Sequence, residues 1–360
     1  MKQFFENYNK AAEEKKSEKA NPDNAQIIIG DHSDLQDHAY ERRQLSEKEE
    51  EILDRKLQKL SQLMNGAEVQ WRMDGAINIS VMRRKYIGIH KDVDISIDDK
   101  EVEKLDEYLG RNGYGLFIKI EKKEGLKKMV RVNASDFRNK GNQCCEIAAI
   151  DEYGRIIENE ALRFIDVHIV DTNDSGEYLM GDGTVFPKKW FNPIKTEFHG
   201  AELNLSHPAK IVFFKLNTGR PYDEADIKIL VSLGKISKDD ITDMKKIFSS
   251  SLKNQFSKSI EILREVYKNL SGSENSEQIT SALLQHPEIA KYIENPNDLQ
   301  AIRKIAEEFS LQDDVSFDKF KDIAFKFSEV EDQKRQYEAK LLWLNSIIDE
   351  CDSGLNRLKA

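Results

Sequence analysis

Hydrophobic positions along the chain follow a helical spacing first, a two-residue alternation next, and a helical spacing again at the end. Between residues 46 and 64 the apolar side chains recur on one face, and Ser46 with Glu49 has the spacing of a capping box. From about residue 68 to residue 170 apolar and polar residues alternate, which predicts strands. After Pro208 the composition is helical to the end of the chain. The pattern therefore predicts a helix, a strand-rich region and a helical remainder.

The strand-rich region contains several separate strands and two helices. The predicted strands cover residues 69–73, 92–97, 115–120, 129–132, 144–150, 155–157 and 162–170. The predicted helices between them cover residues 75–84 and 100–112. This order predicts an α+β fold, with a small mixed β-sheet and flanking helices, followed by an all-helical C-terminal domain. The predicted divisions are a polar N-terminal arm (1–45), a sheet-containing domain (46–235) and a helical domain (236–360).

Composition excludes some classes of protein and favours others. Of the 360 residues, 39% are hydrophobic and 33% are charged, and the formal net charge is −10. A nucleic-acid partner is not favoured by this charge, because phosphate binding relies on concentrated Lys and Arg. Neither an apolar signal core at the N-terminus nor a run of about 18 apolar residues occurs, so no membrane span is predicted. The three cysteines have no framework spacing, and a cytoplasmic location is expected.

Two aspartates near the start of a strand carry the first candidate chemistry. Asp92 and Asp94 are two residues apart, so in a strand their side chains project from the same face. Two such carboxylates repel each other unless a cation or a proton lies between them. Magnesium suits this arrangement, because it takes few protein carboxylates and completes its shell with phosphates and water. A lone Asp-x-Asp is more often a solvated strand face than a catalytic site.

A third carboxylate favours a metal site over a chance placement of the acidic residues. Asp166 lies in the apolar strand segment Arg163–Val170, and a buried carboxylate is costly without a partner. His168 is two residues further on and points to the same face, where a structural role is the simpler interpretation. The sequence therefore predicts that Asp92, Asp94 and Asp166 converge.

These segments resemble a known family. Gly88-Ile89-His90-Lys91-Asp92-Val93-Asp94-Ile95 is similar to the signature of the minimal nucleotidyltransferases, especially the branch that adenylylates aminoglycosides and lincosamides and the related nucleotidyltransferase toxins. Phe164–His168 is similar to the strand that carries the family's third acidic residue. Pro208–Leu216 and Gly219–Ile227 match a helix that ends with a lysine and is followed by an arginine and aspartates. The resemblance covers roughly residues 65–235.

The resemblance implies an activity and a set of roles. It implies magnesium-dependent transfer of a nucleoside monophosphate from a nucleoside triphosphate to an acceptor hydroxyl of a small molecule, a tRNA or a protein. Asp92 and Asp94 would hold magnesium, and Asp166 would complete a second metal position or act as the base. The implied nucleotide-binding residues are Gly75, Ala76, Lys215 and Arg220.

Simpler interpretations stand beside the implied phosphate contacts. Lys215 also reads as an ordinary lysine at a helix end, favoured by the helix dipole. Arg220 also reads as the partner of Asp223 or Asp226, and these two aspartates would orient the lysine or cap the next helix.

The first turn departs from the family pattern. The family has Gly-Gly or Gly-Ser there, whereas this chain has Asp74-Gly75-Ala76, with one glycine and an acid that would repel phosphate unless it points away or takes part in metal binding. This departure motivates a second hypothesis, in which the chain is a catalytically weakened relative that acts as a binding or regulatory module. A third hypothesis is a helical scaffold whose sheet domain is incidental.

Overall fold

The computed structural model describes residues 26–29, 44–88, 93–123, 126–135, 144–157, 165–218, 220, 222–251, 254 and 335–353. In chain order the strands are β1 (Gln26–Ile29), β2 (Trp71–Met73), β3 (Val93–Asp98), β4 (Tyr114–Lys123), β5 (Leu126–Val132), β6 (Cys144–Ala149), β7 (Ile165–Thr172), β8 (Tyr178–Leu179), β9 (Ile194–Phe198) and β10 (Ala201–Leu205). The helices are α1 (Glu47–Gly66), α2 (Gly75–Arg83), α3 (Val102–Arg111), α4 (Pro208–Thr218) and α5 (Asp223–Ser232), with further helical residues over 238–251 and 335–353.

Most of the predicted elements are present. α1 begins after Ser46, and the capping box between Ser46 and Glu49 is formed in both directions. The predicted helix over 75–84 is α2, and the predicted helix over 100–112 is α3, preceded by a 3₁₀ turn over Asp99–Glu101. The hairpin β9–β10 was not predicted. Its outer strand β9 is largely exposed, so it carries no clear alternation of apolar and polar residues.

One mixed sheet contains all of the described strands. The order across it is β1-β5-β4-β6-β7-β3-β2-β10-β9, and β8 pairs with the end of β7. β3 runs parallel to β7, and β10 runs parallel to β2, whereas β2 runs antiparallel to β3. The mixed sheet of the predicted fold class is therefore confirmed, and ten strands contribute to it within the described residues. The central strands β7, β3 and β2 carry the candidate site.

The two faces of the central strands differ in character. One face is apolar, because Ile95 and Ile97 of β3 and Val167 of β7 are buried in a core with α1. The other face is polar and carries the residues between them in the alternation. Arg72 is fully buried on this polar face, where its guanidinium donates to Asp98 at 2.7 Å, to the Tyr178 hydroxyl at 3.0 Å and to the Phe191 carbonyl oxygen. The polar face therefore has a packed, hydrogen-bonded floor beside the candidate carboxylates.

The described residues belong to two compact units. The first comprises residues 1–181, 185–240 and 347–360, and the second comprises 182–184 and 241–346. In the second unit Tyr337 is buried and stacks on Phe248. Most of the predicted helical domain lies outside the described residues, as do residues 1–25 and 30–43 of the predicted arm, so the three-part domain division stays a prediction. Within the described part of the chain, no helix is long and apolar enough to cross a membrane.

Candidate active site

Two of the predicted carboxylates lie side by side on the polar face of the sheet. β3 and β7 are parallel neighbours, and their register pairs Asp94 with Asp166 and Ser96 with His168. Alternation along each strand puts all four side chains on the same face, because Ile95 and Val167 between them point into the core. Asp94 and Asp166 are therefore register partners on one face of the sheet, and their role as metal ligands stays a prediction. Asp92 lies outside the described residues, and its place in the site stays a prediction.

Asp94 lies in a positively charged environment. His168 Nε2 is 3.7 Å from Asp94 Oδ1. Burial raises the pKa of the Asp94 carboxyl, but His168, Arg220 and Lys215 outweigh it, so the pKa lies below its usual value. The carboxylate is therefore ionised at neutral pH. Lys215 of α4 and Arg220 beyond the end of that helix therefore act on this carboxylate electrostatically.

The turn from β2 into α2 is pressed against Asp94. The backbone amide of Asp74 donates to the Asp94 carbonyl oxygen at 2.8 Å, and α2 begins at Gly75 with Ala76 next in its first turn. Gly75 has φ +67°, and a Cβ added there would lie 2.1 Å from Asp94 Oδ2. Both the backbone conformation and the space therefore require glycine. The N-terminus of α2 is left close to the Asp94 carboxylate, where free amides and the helix dipole favour phosphate.

Substituting Gly75 with alanine is expected to weaken binding of magnesium-ATP by at least about tenfold, because the methyl group must displace either Asp94 or the turn. The strained backbone should also lower the free energy of unfolding by about 1–3 kcal/mol. Calorimetric titration with ATP and chemical denaturation measure the two effects.

Gly113→Ala is the matched control for this substitution. Gly113 has φ +75°, and an added Cβ there meets no atom within 4 Å among the described residues. Gly113→Ala should lower the free energy of unfolding by about as much as Gly75→Ala does, and it should keep the wild-type affinity for ATP. Equal ATP affinities of the two variants would contradict the proposed approach of phosphate to the Gly75 turn.

A buried lysine neutralises the acid that precedes this turn. Lys210 of α4 contacts both carboxylate oxygens of Asp74 at 2.9 Å, the Ser96 hydroxyl at 2.8 Å and the Ser206 hydroxyl at 3.3 Å. Its ammonium also lies 4.9 Å from the centre of the Phe191 ring. Burial lowers the pKa of Lys210, and the contact with Asp74 opposes this shift. The Asp74 carboxylate therefore faces Lys210, so its charge is neutralised within the protein.

The end of α4, the start of α5 and the residues between them form a second charge cluster. Lys215 Nζ donates to Asp223 at 2.9 Å and to Asp226 at 2.7 Å. The backbone amide of Arg220 donates to the other Asp223 oxygen at 2.8 Å, and its guanidinium donates to the Tyr222 hydroxyl at 3.1 Å. The two aspartates orient Lys215, as one of the sequence interpretations expected. The arginine pairs with Asp223 through its backbone, and its side chain stays exposed.

Sequence reasoning missed several polar residues on the same face. Glu146 of β6 pairs in register with Asp166, and both of its carboxylate oxygens lie 3.3 Å from the buried Lys127 ammonium. Cys144 Sγ lies 3.5 Å from His168 Nδ1. The sequence contained a signal for Glu146, because this residue lies between the apolar Cys145 and Ile147. Asp166 also lies between apolar neighbours. Lys127 carried no such signal.

The donor set suits a hard cation. Asp94 and Asp166 offer carboxylate oxygens from adjacent strands, which matches magnesium with one or two protein carboxylates and a shell completed by phosphate and water. Among the residues that the structure describes, no group of three or more His, Cys, Asp or Glu side chains is arranged as a metal site. The predicted third ligand, Asp92, falls outside that set.

Comparison with solved structures finds nucleotidyltransferases. The lincosamide antibiotic adenylyltransferase LnuA, solved bound to lincomycin, is 20% identical, with a TM-score of 0.34, and the match covers 53% of this chain and 99% of that one. ANT(2")-Ia, solved with adenylyl-2"-tobramycin, is 11% identical, with a TM-score of 0.34, over 56% of this chain and 98% of that one. A putative nucleotidyltransferase from Thermotoga maritima is 12% identical, with a TM-score of 0.28, over 53% of this chain and 96% of that one.

These solved structures are nucleotidyltransferases, the class of protein that the motifs resemble. No family model matches this chain. No curated protein matches it either. At these identities the similarity concerns the fold alone, and any assignment of activity depends on the site residues.

Proposed function

We propose that this chain transfers a nucleoside monophosphate from a nucleoside triphosphate to an acceptor hydroxyl and releases pyrophosphate. The observation that carries the proposal is the pairing of Asp94 with Asp166 on one face of the sheet, directly beside the Gly75 turn. The carboxylates and the helix N-terminus then flank the place where a triphosphate would lie. The ordered motifs that resemble the family support the same reaction.

Different residues of the chain have different proposed roles in this reaction. The acceptor oxygen forms a bond to the α-phosphorus, the bond from the α-phosphorus to the bridging oxygen breaks, and pyrophosphate leaves with the electron pair. Asp166 is proposed to receive the acceptor's proton or to complete a second metal position. Amides at Gly75 and Ala76 would bind phosphate oxygens, and Lys215 and Arg220 would offset their charge.

The proposed cofactor is magnesium, held by Asp92, Asp94 and Asp166 as one or two ions. When bound, it would neutralise charge on the phosphates and lower the pKa of the acceptor hydroxyl. The chain's own contribution is to hold Asp94 ionised and in place. His168 contributes to this through its contact with Asp94.

The direct test incubates the purified chain and magnesium with labelled ATP, CTP, GTP or UTP. Each nucleotide is combined in turn with aminoglycosides, lincosamides, total tRNA and the protein itself. Label should move to one acceptor class with wild-type protein and should not move with Asp166→Asn, because that carboxylate is proposed to act on the proton or the metal. A wild-type chain that neither binds nor transfers any of the four nucleotides would overturn the proposal. Magnesium-dependent binding without transfer to any acceptor would favour the binding-module alternative, which the single-glycine turn motivates.

A further inference from the structure

Lys210 is the only described residue that joins the Gly75 turn, the strand of Asp94 and helix α4 through one ammonium group. Asp74 immediately precedes α2, Ser96 follows Asp94 on the same face of β3, and Ser206 follows β10. The Lys210 ammonium contacts all three at 2.8–3.3 Å. Its side chain is 5% exposed, and that of Asp74 is 13% exposed.

The ammonium has no capacity left for a substrate in this arrangement. A lysine has three N–H donors. Asp74, Ser96 and Ser206 accept hydrogen bonds from these three donors, and the two Asp74 oxygens share one of them. Lys210 therefore differs from Lys215, which donates to two aspartates and keeps one donor for other contacts. A direct contact from Lys210 to phosphate would break part of a buried network.

The charge of Asp74 explains why this network matters for the site. Asp74 immediately precedes Gly75 at the helix N-terminus where phosphate is proposed to bind. An uncompensated carboxylate at that place would repel a triphosphate more strongly than a monophosphate, because the triphosphate brings more charged phosphate oxygens to the turn, even where magnesium offsets part of their charge. In the structure Asp74 makes no capping hydrogen bond to α2 and faces Lys210.

We propose that Lys210 is a positioning residue for nucleotide binding, which neutralises Asp74 and holds it away from the phosphates so that the single-glycine turn accepts a triphosphate. This inference rests on the proposed function, because it assumes that the nucleotide binds at the Gly75 turn. The inference also gives a role to Asp74, the residue at which this chain departs from the family turn. Here the pair of Asp74 and Lys210 shapes the turn, as the second glycine or the serine does in the family.

The test measures the ratio of ATP affinity to AMP affinity in magnesium by calorimetric titration of the full chain. Lys210→Met leaves Asp74 uncompensated, so this ratio should fall by about tenfold. A role in folding alone would weaken ATP and AMP equally and leave the ratio unchanged. Lys228→Met is the control, because Lys228 forms an exposed pair with Glu224 on α5 and should keep the wild-type ratio.

The double variant Lys210→Met/Asp74→Asn separates neutralisation from direct contact and remains informative if Lys210→Met does not fold. Removing both charges restores neutrality, so the double variant should bind ATP within about threefold of the wild type. A loss in the double variant as large as that expected for Lys210→Met would mean that Lys210 itself contacts phosphate, and would overturn the inference. An unchanged ratio in a folded Lys210→Met variant would also overturn it.

The two proposals fail in different ways. A wild-type chain that binds no nucleotide would remove the proposed function and this inference together. A wild-type chain that binds ATP normally, with Lys210 variants that do not follow the pattern above, would remove the inference alone.

Discussion

Replacing Asp94 with asparagine is expected to reduce nucleotidyl transfer by about 100-fold to 10,000-fold, since metal-assisted charge stabilisation is worth several kcal/mol. The substitution keeps the size of the side chain and removes its charge. Asp94 has the central position in the site, because it pairs with Asp166, contacts His168 and lies against Gly75. The rate of label transfer and the magnesium dependence of ATP binding measure the effect.

Asp174→Asn is the control for this prediction. Asp174 is exposed in the turn after β7, so its variant should transfer at the wild-type rate. Thermal unfolding of both variants verifies that the fold is retained. Transfer by Asp94→Asn at a rate close to the wild type would sink the assignment of Asp94 to the site.

Replacing Lys215 with methionine is expected to lower the free energy of unfolding by about 3–5 kcal/mol, because breaking a buried ion pair leaves its partners uncompensated. The side chains of Lys215, Asp223 and Asp226 are 9%, 4% and 0% exposed. Thr218 donates to Asp223 at 2.7 Å without involving Lys215, so Asp226 is expected to bear most of the loss. Chemical denaturation measures the change.

An exposed lysine of the neighbouring helix provides the comparison. Lys228 pairs with Glu224 at 2.6 Å, but the two side chains are 53% and 60% exposed. Lys228→Met should therefore cost less than about 1 kcal/mol. Similar losses of unfolding free energy in Lys215→Met and Lys228→Met would show that water reaches the Lys215 cluster in solution.

Lys215 also has a functional readout. Two of its three donors point to Asp223 and Asp226, so a phosphate contact can use at most one. If the phosphate contact implied by the resemblance exists, folded Lys215→Met protein should bind ATP more weakly than the wild type and bind AMP almost unchanged. Equal affinities for ATP in both proteins would leave Lys215 with a structural role only.

Much of the candidate site was predictable because its signals are local. Alternation within residues 163–170 placed Asp166 and His168 on one face, and both are found there. The family resemblance implied a turn at Gly75, and this residue has positive φ. The cation that compensates Asp74 was not predictable, since Lys210 follows it by more than a hundred residues and looks like any lysine near a helix start.

The sequence by itself determined the type of most elements and the face of each strand on which its acids lie. Those properties depend on a few neighbouring residues and on the two-residue period of a strand. Only the tertiary structure decided that β3 and β7 are neighbours, that Asp94 pairs with Asp166, and that Lys210 reaches Asp74. Strand order and register depend on packing over the whole core, where a shift by one residue would turn every carboxylate to the opposite face.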